Sequence, residues 1–433
     1  MSNYAVKGGR KLKGEAVVNA SKNSAVVILI ASLLNEKKTV IKNIPRIEEV
    51  FRIIEVLESI GVKIVWRKDH ELEINVPKKL NLNKINKEAA EKTRSIILFI
   101  GPLVHKLKKF SLPSCGGCKL GKRTIMPHIY ALEELGIKIR KNNDKLLIDS
   151  SKIHPAREII MYESGDTATE NVIMASALIP GKTTIKFASA NYQVQDLCYF
   201  LKKLGIKIDG IGATTLTIHG KNKISKPISY YLIEDPVEAM LFISAAIVTK
   251  SSIIIKRCPI EFLELELLKL KKMGFRFKIL NKYKAKNGYN YLIDIKTLPS
   301  KLTAPAEKIY ARPFPGLNID NLPFFVPIAV QARGDTMIHD WVYENRAVYY
   351  TELNRLGAKI TLADPHRVFI EGPVKLKGAE MMSPPALRPS AIILVAMLGA
   401  QGKSILKNTY AIERGYEDLC GRLKKLGAQI EKI

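Results

Sequence analysis

The sequence is short of cysteine, which limits the chemistry that thiols could supply. Its 433 residues include five cysteines, too few for a disulfide framework. Cys115 and Cys118 form a CxxC pair, as in a redox pair or half of a zinc site. A zinc site takes about four ligands, and Cys198, Cys258 and Cys420 stand alone without a histidine cluster. We therefore expect no metal.

Long apolar runs are also missing. No run reaches the roughly 18 residues of a membrane span, and no apolar signal segment follows Met1. We therefore expect a protein of the reducing cytoplasm with no membrane partner. Neither GxxxxGK[ST] nor a strand-linked GxGxxG occurs, which leaves ATP and NAD binding without support.

Acidic residues are few compared with basic ones. The chain has 41 Asp and Glu and 69 Lys and Arg, which gives a formal net charge of +28. Such a charge suits an anionic partner, such as a phosphorylated metabolite, nucleic acid or a membrane surface. The lysines are spread over the whole chain, however, and most of them predict only a lysine-rich surface. The length suggests two or three domains.

A short signature, in which a helix-like stretch ends in Gly before an apolar strand, recurs six times. The copies are IGVKI (60–64), LGIKI (135–139), LGIKI (204–208), MGFRF (273–277), LGAKI (356–360) and LGAQI (426–430). Each Gly stands where a helix C-terminal Gly is expected. Most of the preceding helices follow another strand, as in KKTVIKNI, GKTTIKFA, SSIIIKRC and GKSILKN. The period near 70 residues predicts that each copy is a small α/β subdomain. Six such subdomains could form two domains of three.

The segment PSCGGCKLGKR at 113–123 places the Cys118 thiol between two glycines and Lys119, Lys122 and Arg123. Nearby cations raise the thiolate fraction of a thiol. The loop is therefore suited to acid, base or nucleophile chemistry on an anionic substrate. The alternative is a flexible basic loop with an idle cysteine.

Lys22 and Asn23 open a long apolar stretch, for which Ser21 is a fair N-cap. A helix start beside a lysine can bind an anion. The alternative is a capped core helix with a surface lysine.

Several arginines could recognise carboxylate and phosphate together with Lys22, because guanidinium groups fit both oxyanions. They are Arg94, Arg123, Arg346, Arg388 and Arg414. Asp320 lies in the Pro/Gly-rich segment PFPGLNIDNLPFF, where its carboxylate could act as a general base or cap a helix.

These motifs together resemble the enolpyruvyl transferases, specifically those that act on UDP-N-acetylglucosamine in peptidoglycan synthesis. The resemblance covers almost the whole chain and rests on motifs in the same order: ASKNSA, TRSIILFIGPLV, GGCKLGKR, PHIYALEELG, ATENVIMASAL, PGLNID, ENR, LRPSA and ERGYEDL. The related enolpyruvylshikimate-phosphate synthases look less similar, because they lack the loop cysteine and the Lys-Asn pair in this form.

The resemblance implies an inside-out α/β barrel of two domains, each built from three repeated βαβαββ-type subdomains. We expect one domain over residues 22–232 and a discontinuous one formed by 1–21 and 233–433. It also implies that substrates bind in the cleft, under the loop that carries Cys118.

The implied reaction needs no cofactor. The sugar 3-hydroxyl adds to C2 of phosphoenolpyruvate, a proton goes to C3, and the intermediate then loses phosphate. By the resemblance, Asp320 is the base and Cys118 the acid, which could also form a covalent adduct. Asn23 contacts the sugar. Lys22, Arg123, Arg346, Arg388 and Arg414 hold phosphate and carboxylate; Arg94 belongs to the same substrate-binding set.

Departures from the family pattern lie on the nucleotide side. Met126 replaces an Asp near the uracil, and Gly165-Asp166-Thr167 replaces Ser-Val-Gly. Asn191 and Gln193 replace two glutamates, and Ala386 replaces an Asp. Two alternatives therefore remain open: a paralogous transferase acting on another nucleotide sugar or anionic alcohol, and a non-catalytic relative that binds an anion or nucleic acid.

Overall fold

The structure is a computed structural model, and it describes residues 2–114 and 124–433. The described chain forms two compact units. One contains Glu234–Ile433 together with the N-terminal residues up to Asn19, and the other contains residues from Ala20 to Ile233. We call them the 234–433 unit and the 20–233 unit. The domain boundaries expected from the sequence stay a prediction.

The helices and strands have the following bounds. The helices are α1 (Lys22–Ala31), α2 (Glu48–Ser59), α3 (Lys87–Glu91), α4 (Ile100–Leu103), α5 (Met126–Glu133), α6 (Asp166–Ser176), α7 (Tyr192–Lys203), α8 (Pro236–Val248), α9 (Glu264–Lys272), α10 (Phe325–Ala329), α11 (Leu387–Gly399), α12 (Tyr410–Glu413) and α13 (Leu419–Lys425). The strands are β1 (Tyr4–Gly8), β2 (Glu15–Val17), β3 (Thr39–Lys42), β4 (Lys63–Lys68), β5 (Glu71–Asn75), β6 (Lys109–Pro113), β7 (Lys138–Asn142), β8 (Lys145–Asp149), β9 (Glu158–Ile160), β10 (Gly181–Lys186), β11 (Lys207–Asp209), β12 (Thr215–Gly220), β13 (Ile228–Tyr231), β14 (Ile254–Pro259), β15 (Arg276–Lys284), β16 (Tyr291–Leu298), β17 (Leu302–Thr303), β18 (Ile309–Tyr310), β19 (Ala332–His339), β20 (Lys359–Asp364), β21 (Arg367–Gly372), β22 (Glu380–Met382), β23 (Gly402–Lys407) and β24 (Gln429–Lys432). Short 3₁₀ segments include Arg94–Phe99, Leu322–Phe324 and Ala347–Leu356.

The six signature glycines all end a helical segment. Each has a positive φ, between 77° and 104°, a backbone shape that favours glycine; they are Gly61, Gly136, Gly205, Gly274, Gly357 and Gly427. The residue after each glycine donates its backbone N–H to the carbonyl five positions earlier, as in Val62 to Leu57 and Ala428 to Leu423. This is the Schellman helix end. At Leu356 the preceding segment is a 3₁₀ helix rather than an α-helix.

Five of the six sheets in the described chain repeat one pattern, and the sixth, β6-β8-β7, has only antiparallel pairs among the described residues. The 20–233 unit has the strand orders β13-β3-β5-β4, β6-β8-β7 and β11-β12-β10-β9. The 234–433 unit has β22-β23-β1-β24, β15-β16-β14-β2 and β17-β19-β21-β20, with β18 also on β19. In β13-β3-β5-β4, for example, the outer strand β13 runs parallel to β3 and the other pairs are antiparallel. This repetition confirms the α/β class and the six repeats predicted from the sequence.

The most apolar helices lie in the interior of each unit, and the strands lie nearer the surface. Every residue of α8 is buried, as are nearly all residues of α11 and α1. A helix that is apolar on all sides belongs in an interior. Many strands instead alternate buried and exposed residues, as β21 does. No helix of the described residues is long and apolar enough to cross a membrane.

Candidate active site

Asp320 lies in a loop of the 234–433 unit just before the buried 3₁₀ segment Leu322–Phe324. Its backbone N–H donates to the Asn318 Oδ1 atom at 2.8 Å, and the buried Asn321 side chain donates to Glu266 at 2.7 Å. These bonds fix the loop on both sides of Asp320. The Asp320 side chain keeps 23% of its surface exposed, so it remains accessible to a ligand, and the N-cap position of the following 3₁₀ segment belongs to Asn321.

Two arginines flank the Asp320 carboxylate. Arg388 Nη2 lies 3.2 Å from Oδ2, and Arg346 Nη1 lies 3.8 Å from Oδ1. The side chains of Arg388 and Arg346 are 6% and 1% exposed, respectively. Three of the side chains predicted from the sequence therefore meet here. Nearby cations stabilise a carboxylate anion, which is the form that a general base needs.

Arg346 is held by a partner that the sequence did not indicate. Its Nε and Nη2 atoms bind the two Asp340 oxygens at 2.5 and 2.9 Å. Nη2 also donates to the Ile319 carbonyl at 2.8 Å. The Tyr350 hydroxyl donates to Asp340 at 2.5 Å. Arg346 is thus fixed by a bidentate ion pair, with Nη1 directed at Asp320.

Arg388, near the start of α11, is held by an aromatic residue. Its Nη1 donates to the Tyr416 hydroxyl at 2.6 Å. Asp235, which caps α8 by accepting the N–H groups of Val237 and Glu238, is buried nearby. Burial raises the pKa of Asp235 to about 6, and the Arg388 charge opposes this rise. We call Asp320, Asp340, Arg346, Arg388 and Tyr416 the arginine cluster.

Arg414 follows α12 directly, and its Nε atom is buried. The next residue, Gly415, lies so close to Leu387 that an added Cβ would stand 2.2 Å from the Leu387 side chain. Residues 414–416 therefore pack against the start of α11, which carries Arg388. This contact brings Arg414 to the same end of α11.

The predicted residues Lys22 and Asn23 open α1 in the 20–233 unit. The N-cap is Ser21, as expected, since its hydroxyl accepts the Ser24 N–H. Asn23 Nδ2 donates to the Tyr192 hydroxyl at 3.2 Å and to Gln193 Oε1 at 3.1 Å. The start of α1 thus contacts the start of α7.

Arg94 and Met126 are joined through Thr124. Arg94 Nη2 donates to the Thr124 carbonyl at 3.0 Å, and the Thr124 hydroxyl accepts the Met126 N–H at 3.1 Å. Met126 is the first residue of α5 and is 37% exposed. Burial and the Arg94 charge lower the pKa of the adjacent His128 to about 3, so this imidazole is neutral at pH 7.

Cys115, Cys118 and Arg123, on which part of the predicted chemistry depends, lie outside the described residues. Within residues 2–114 and 124–433, no three His, Cys, Asp or Glu side chains are grouped so as to hold a metal ion.

The sequence motifs did not indicate three residues that the structure places at this site: Asp340, Tyr416 and Asp235. Asp235 had a usable signal, because Asp before Pro236 is typical of an N-cap followed by proline at the first helical position. Asp340 and Tyr416 had none, because their partners depend on tertiary contacts.

Comparison with known proteins identifies the class of protein to which this fold belongs. The sequence profile of a family described as EPSP synthase (3-phosphoshikimate 1-carboxyvinyltransferase) matches residues 6–423. The structure is similar to the enolpyruvyl transferase NikO from Streptomyces tendae, with a TM-score of 0.86 at 22% identity, covering 100% of this chain and 99% of that one. It is also similar to an EPSP synthase from Acinetobacter baumannii, with a TM-score of 0.79 at 18% identity and complete coverage of both chains. The fold is that of the enolpyruvyl transferases.

Relatives that match over their full length identify the class more narrowly. The chain is 34% identical to a UDP-N-acetylglucosamine 1-carboxyvinyltransferase of Treponema denticola, covering 100% of this chain and 99% of the relative. It is 33% identical to the protein of the same name from Borreliella burgdorferi, with the same coverage. The chain therefore belongs to the EPSP synthase family and is an enzyme of the carboxyvinyl transferase class.

Proposed function

We propose that this protein transfers the enolpyruvyl group of phosphoenolpyruvate to the 3-hydroxyl of UDP-N-acetylglucosamine and releases phosphate, a step of peptidoglycan synthesis. The observation that carries the proposal is the Asp320 carboxylate, accessible and flanked by Arg388 and Arg346. The full-length relatives named for this reaction support it.

The chemistry assigned to the arginine cluster starts with deprotonation. Asp320 accepts the proton of the acceptor hydroxyl as the oxygen bonds to C2 of phosphoenolpyruvate. The C2=C3 electron pair takes a proton at C3, which gives a tetrahedral intermediate. Loss of a C3 proton and cleavage of the C2–O bond to phosphate then restore the double bond. The donor at C3 is assigned to Cys118 on the sequence-based prediction.

The arginines supply binding and charge stabilisation. We assign Arg388 and Arg414 to the phosphoenolpyruvate oxyanions, because guanidinium groups bind carboxylate and phosphate with charge-assisted hydrogen bonds. Arg346 is already paired with Asp340, so we assign it to orienting Asp320 and stabilising its charge. The roles of Lys22, Asn23, Arg94 and Arg123 in substrate binding stay predictions.

A second candidate is the same transfer to another nucleotide sugar or anionic alcohol. The observation that favours it is Asp166, a carboxylate at the first position of α6 that is absent from the family pattern described above. Asp166 adds a negative charge at the start of α6, a helix end that would otherwise attract a phosphate group.

The test is release of phosphate from phosphoenolpyruvate with a panel of acceptors. We expect turnover with UDP-N-acetylglucosamine, and we expect Arg414→Ala to raise KM for phosphoenolpyruvate. Asp335→Asn, which removes an exposed carboxylate of β19 in the same unit, is the matched control and should leave both constants unchanged. Turnover with another acceptor alone would establish the second candidate instead.

A further inference from the structure

Glu266 is a buried acid to which the proposed reaction assigns no role. It lies in the first turn of α9 and is 3% exposed. Burying a carboxyl group costs free energy unless hydrogen bonds replace its contacts with water. Such hydrogen bonds reach Glu266 from one short stretch of chain, residues 318–321, which we call the Asp320 loop.

One oxygen atom of Glu266 holds both ends of the Asp320 loop. Glu266 Oε1 accepts a hydrogen bond from Asn321 Nδ2 at 2.7 Å and one from the Asn318 backbone N–H at 3.3 Å. The Asn321 side chain is fully buried, and its Oδ1 atom has no hydrogen-bond partner among the residues that the structure describes. The bond to Glu266 therefore sets the orientation of the Asn321 amide, and α9 anchors the chain on either side of Asp320.

The anchored loop sets the position of the Asp320 carboxylate. Asn318 Oδ1 accepts the Asp320 N–H at 2.8 Å, and Arg346 Nη2 donates to the Ile319 carbonyl at 2.8 Å. The backbone is thus held at residues 318–321, and the Asp320 side chain extends to Arg388, with 3.2 Å between Oδ2 and Nη2. Glu266 is connected to the general base through Asn318 and Asn321, without contacting the arginines that flank it.

This anchoring does not require either charge state of Glu266. Burial raises the pKa of Glu266, and the hydrogen bonds from Asn321 and Asn318 oppose the rise. A carboxyl group accepts hydrogen bonds when ionised and keeps acceptor capacity when protonated. A glutamine, whose amide oxygen is also an acceptor, can therefore replace Glu266 here, whereas a leucine cannot.

We propose that Glu266 is a positioning residue for Asp320: its Oε1 atom holds the Asp320 loop in the conformation in which the Asp320 carboxylate receives the proton of the acceptor hydroxyl. Glu266 acts through the loop and not on a reacting atom. A displacement of about 1 Å in a reacting group can cost about 10²-fold in rate, so two hydrogen bonds away from the substrate can control turnover. The inference deepens the proposed function and rests on its assignment of Asp320 as the base.

The kinetic test compares Glu266→Leu, which removes the acceptor at similar side-chain size, with Glu266→Gln, which keeps it. Phosphate release is measured with the acceptor that the wild-type protein uses. We expect Glu266→Leu to lower kcat by roughly 10–100-fold, because the base is misplaced. The KM for phosphoenolpyruvate should change little, because Arg388 keeps its bond to Tyr416. Glu266→Gln should restore kcat to within about threefold of the wild-type value, because it accepts the same hydrogen bonds.

The matched control is Glu264→Leu, the same substitution at an exposed position in the same turn of α9. It should leave kcat and KM unchanged. Asn318→Ala removes the acceptor of the Asp320 N–H and should also lower kcat. Combined with Glu266→Leu, its loss should not multiply, because both substitutions interrupt the same connected set of hydrogen bonds. Glu266→Met, which is also apolar but more flexible, replaces Glu266→Leu if that variant does not fold.

Hydrogen exchange followed by mass spectrometry gives a readout that needs no turnover. In Glu266→Leu, exchange should rise in the peptide that contains residues 318–321 and not throughout the 234–433 unit, and Glu266→Gln should match the wild type. Unchanged exchange in this peptide would overturn the inference, as would a near-normal kcat in Glu266→Leu or an equal loss of kcat in Glu266→Gln. If the wild-type protein released no phosphate with any acceptor, the proposed function would fail, while the exchange measurement would still decide whether Glu266 anchors the loop.

Discussion

Replacing Asp340 by Asn should destabilise the 234–433 unit more than any exposed charge change. Asp340 is fully buried and binds Arg346 through two hydrogen bonds of 2.5 and 2.9 Å. Asparagine keeps the shape but leaves the Arg346 side chain, which is 1% exposed, without its buried anion. Breaking a buried ion pair by removing one partner costs about 3–5 kcal/mol.

Asp320, at 3.8 Å from Arg346, offsets part of this loss, so we expect about 3 kcal/mol. For a unit of this size, that lowers Tm by roughly 10 °C. Differential scanning calorimetry measures the shift directly. The control is Glu371→Gln, which breaks an exposed pair with Lys359 in the same unit and should cost less than about 1 kcal/mol. A Tm for Asp340→Asn that equals the control's would refute the buried ion pair as a determinant of stability.

Four further outcomes are expected. Asp320→Asn should retain phosphoenolpyruvate binding and lose roughly 10²–10⁴-fold in kcat, because the general base is gone; near-normal kcat would remove Asp320 from the mechanism. The epoxide fosfomycin should label Cys118 rather than Cys115, since a thiolate in a cationic loop alkylates fastest; peptide mapping with the label on Cys115 would contradict the assignment. Met126→Asp should tighten the Kd for UDP-N-acetylglucosamine about tenfold, ~1.4 kcal/mol, because a carboxylate can accept a hydrogen bond from uracil; weaker calorimetric binding would mean that the pocket has another partner for the base. The pKa of Asp235 in the folded protein, about 6, exceeds its ordinary value of 3.8, so its contribution to the free energy of unfolding is fully present below pH 4 and falls by about 3 kcal/mol as pH rises through 6. Asp235→Asn should remove this slope in urea unfolding, and parallel slopes in the two proteins would contradict the burial argument.

The repeats could be predicted because local chemistry fixes them. A Schellman helix end needs a residue with positive φ, and glycine adopts that conformation at little cost. Gly61 and Gly427, at opposite ends of the chain, therefore carry the same signature and have φ of 104° and 85°. The adjoining strands could be predicted because apolar and polar residues alternate along them. At 347–356 the same signature follows a 3₁₀ helix, a difference that the local pattern does not encode.

The site was only partly predictable, because its chemistry depends on pairs distant in sequence. The sequence motifs singled out Asp320, Arg346 and Arg388, and the structure brings them together. Neither Asp340 nor Tyr416 could be recognised, since a lone acid or tyrosine gives no sign of the guanidinium that it will meet. Pairing with Asp340 changes the role that we assign to Arg346, from binding substrate oxyanions to orienting Asp320.

The central claim, transfer of an enolpyruvyl group by addition and elimination, is tested most directly by the reaction in D₂O. Phosphoenolpyruvate and UDP-N-acetylglucosamine are incubated with the enzyme, and the products are identified by mass spectrometry and NMR. We predict free phosphate, a nucleotide sugar carrying one enolpyruvyl group on its 3-oxygen, and deuterium at C3 of that group, because protonation and deprotonation at C3 exchange solvent hydrogen. Phosphate with pyruvate and unchanged UDP-N-acetylglucosamine would contradict the account, as would a transferred group without deuterium.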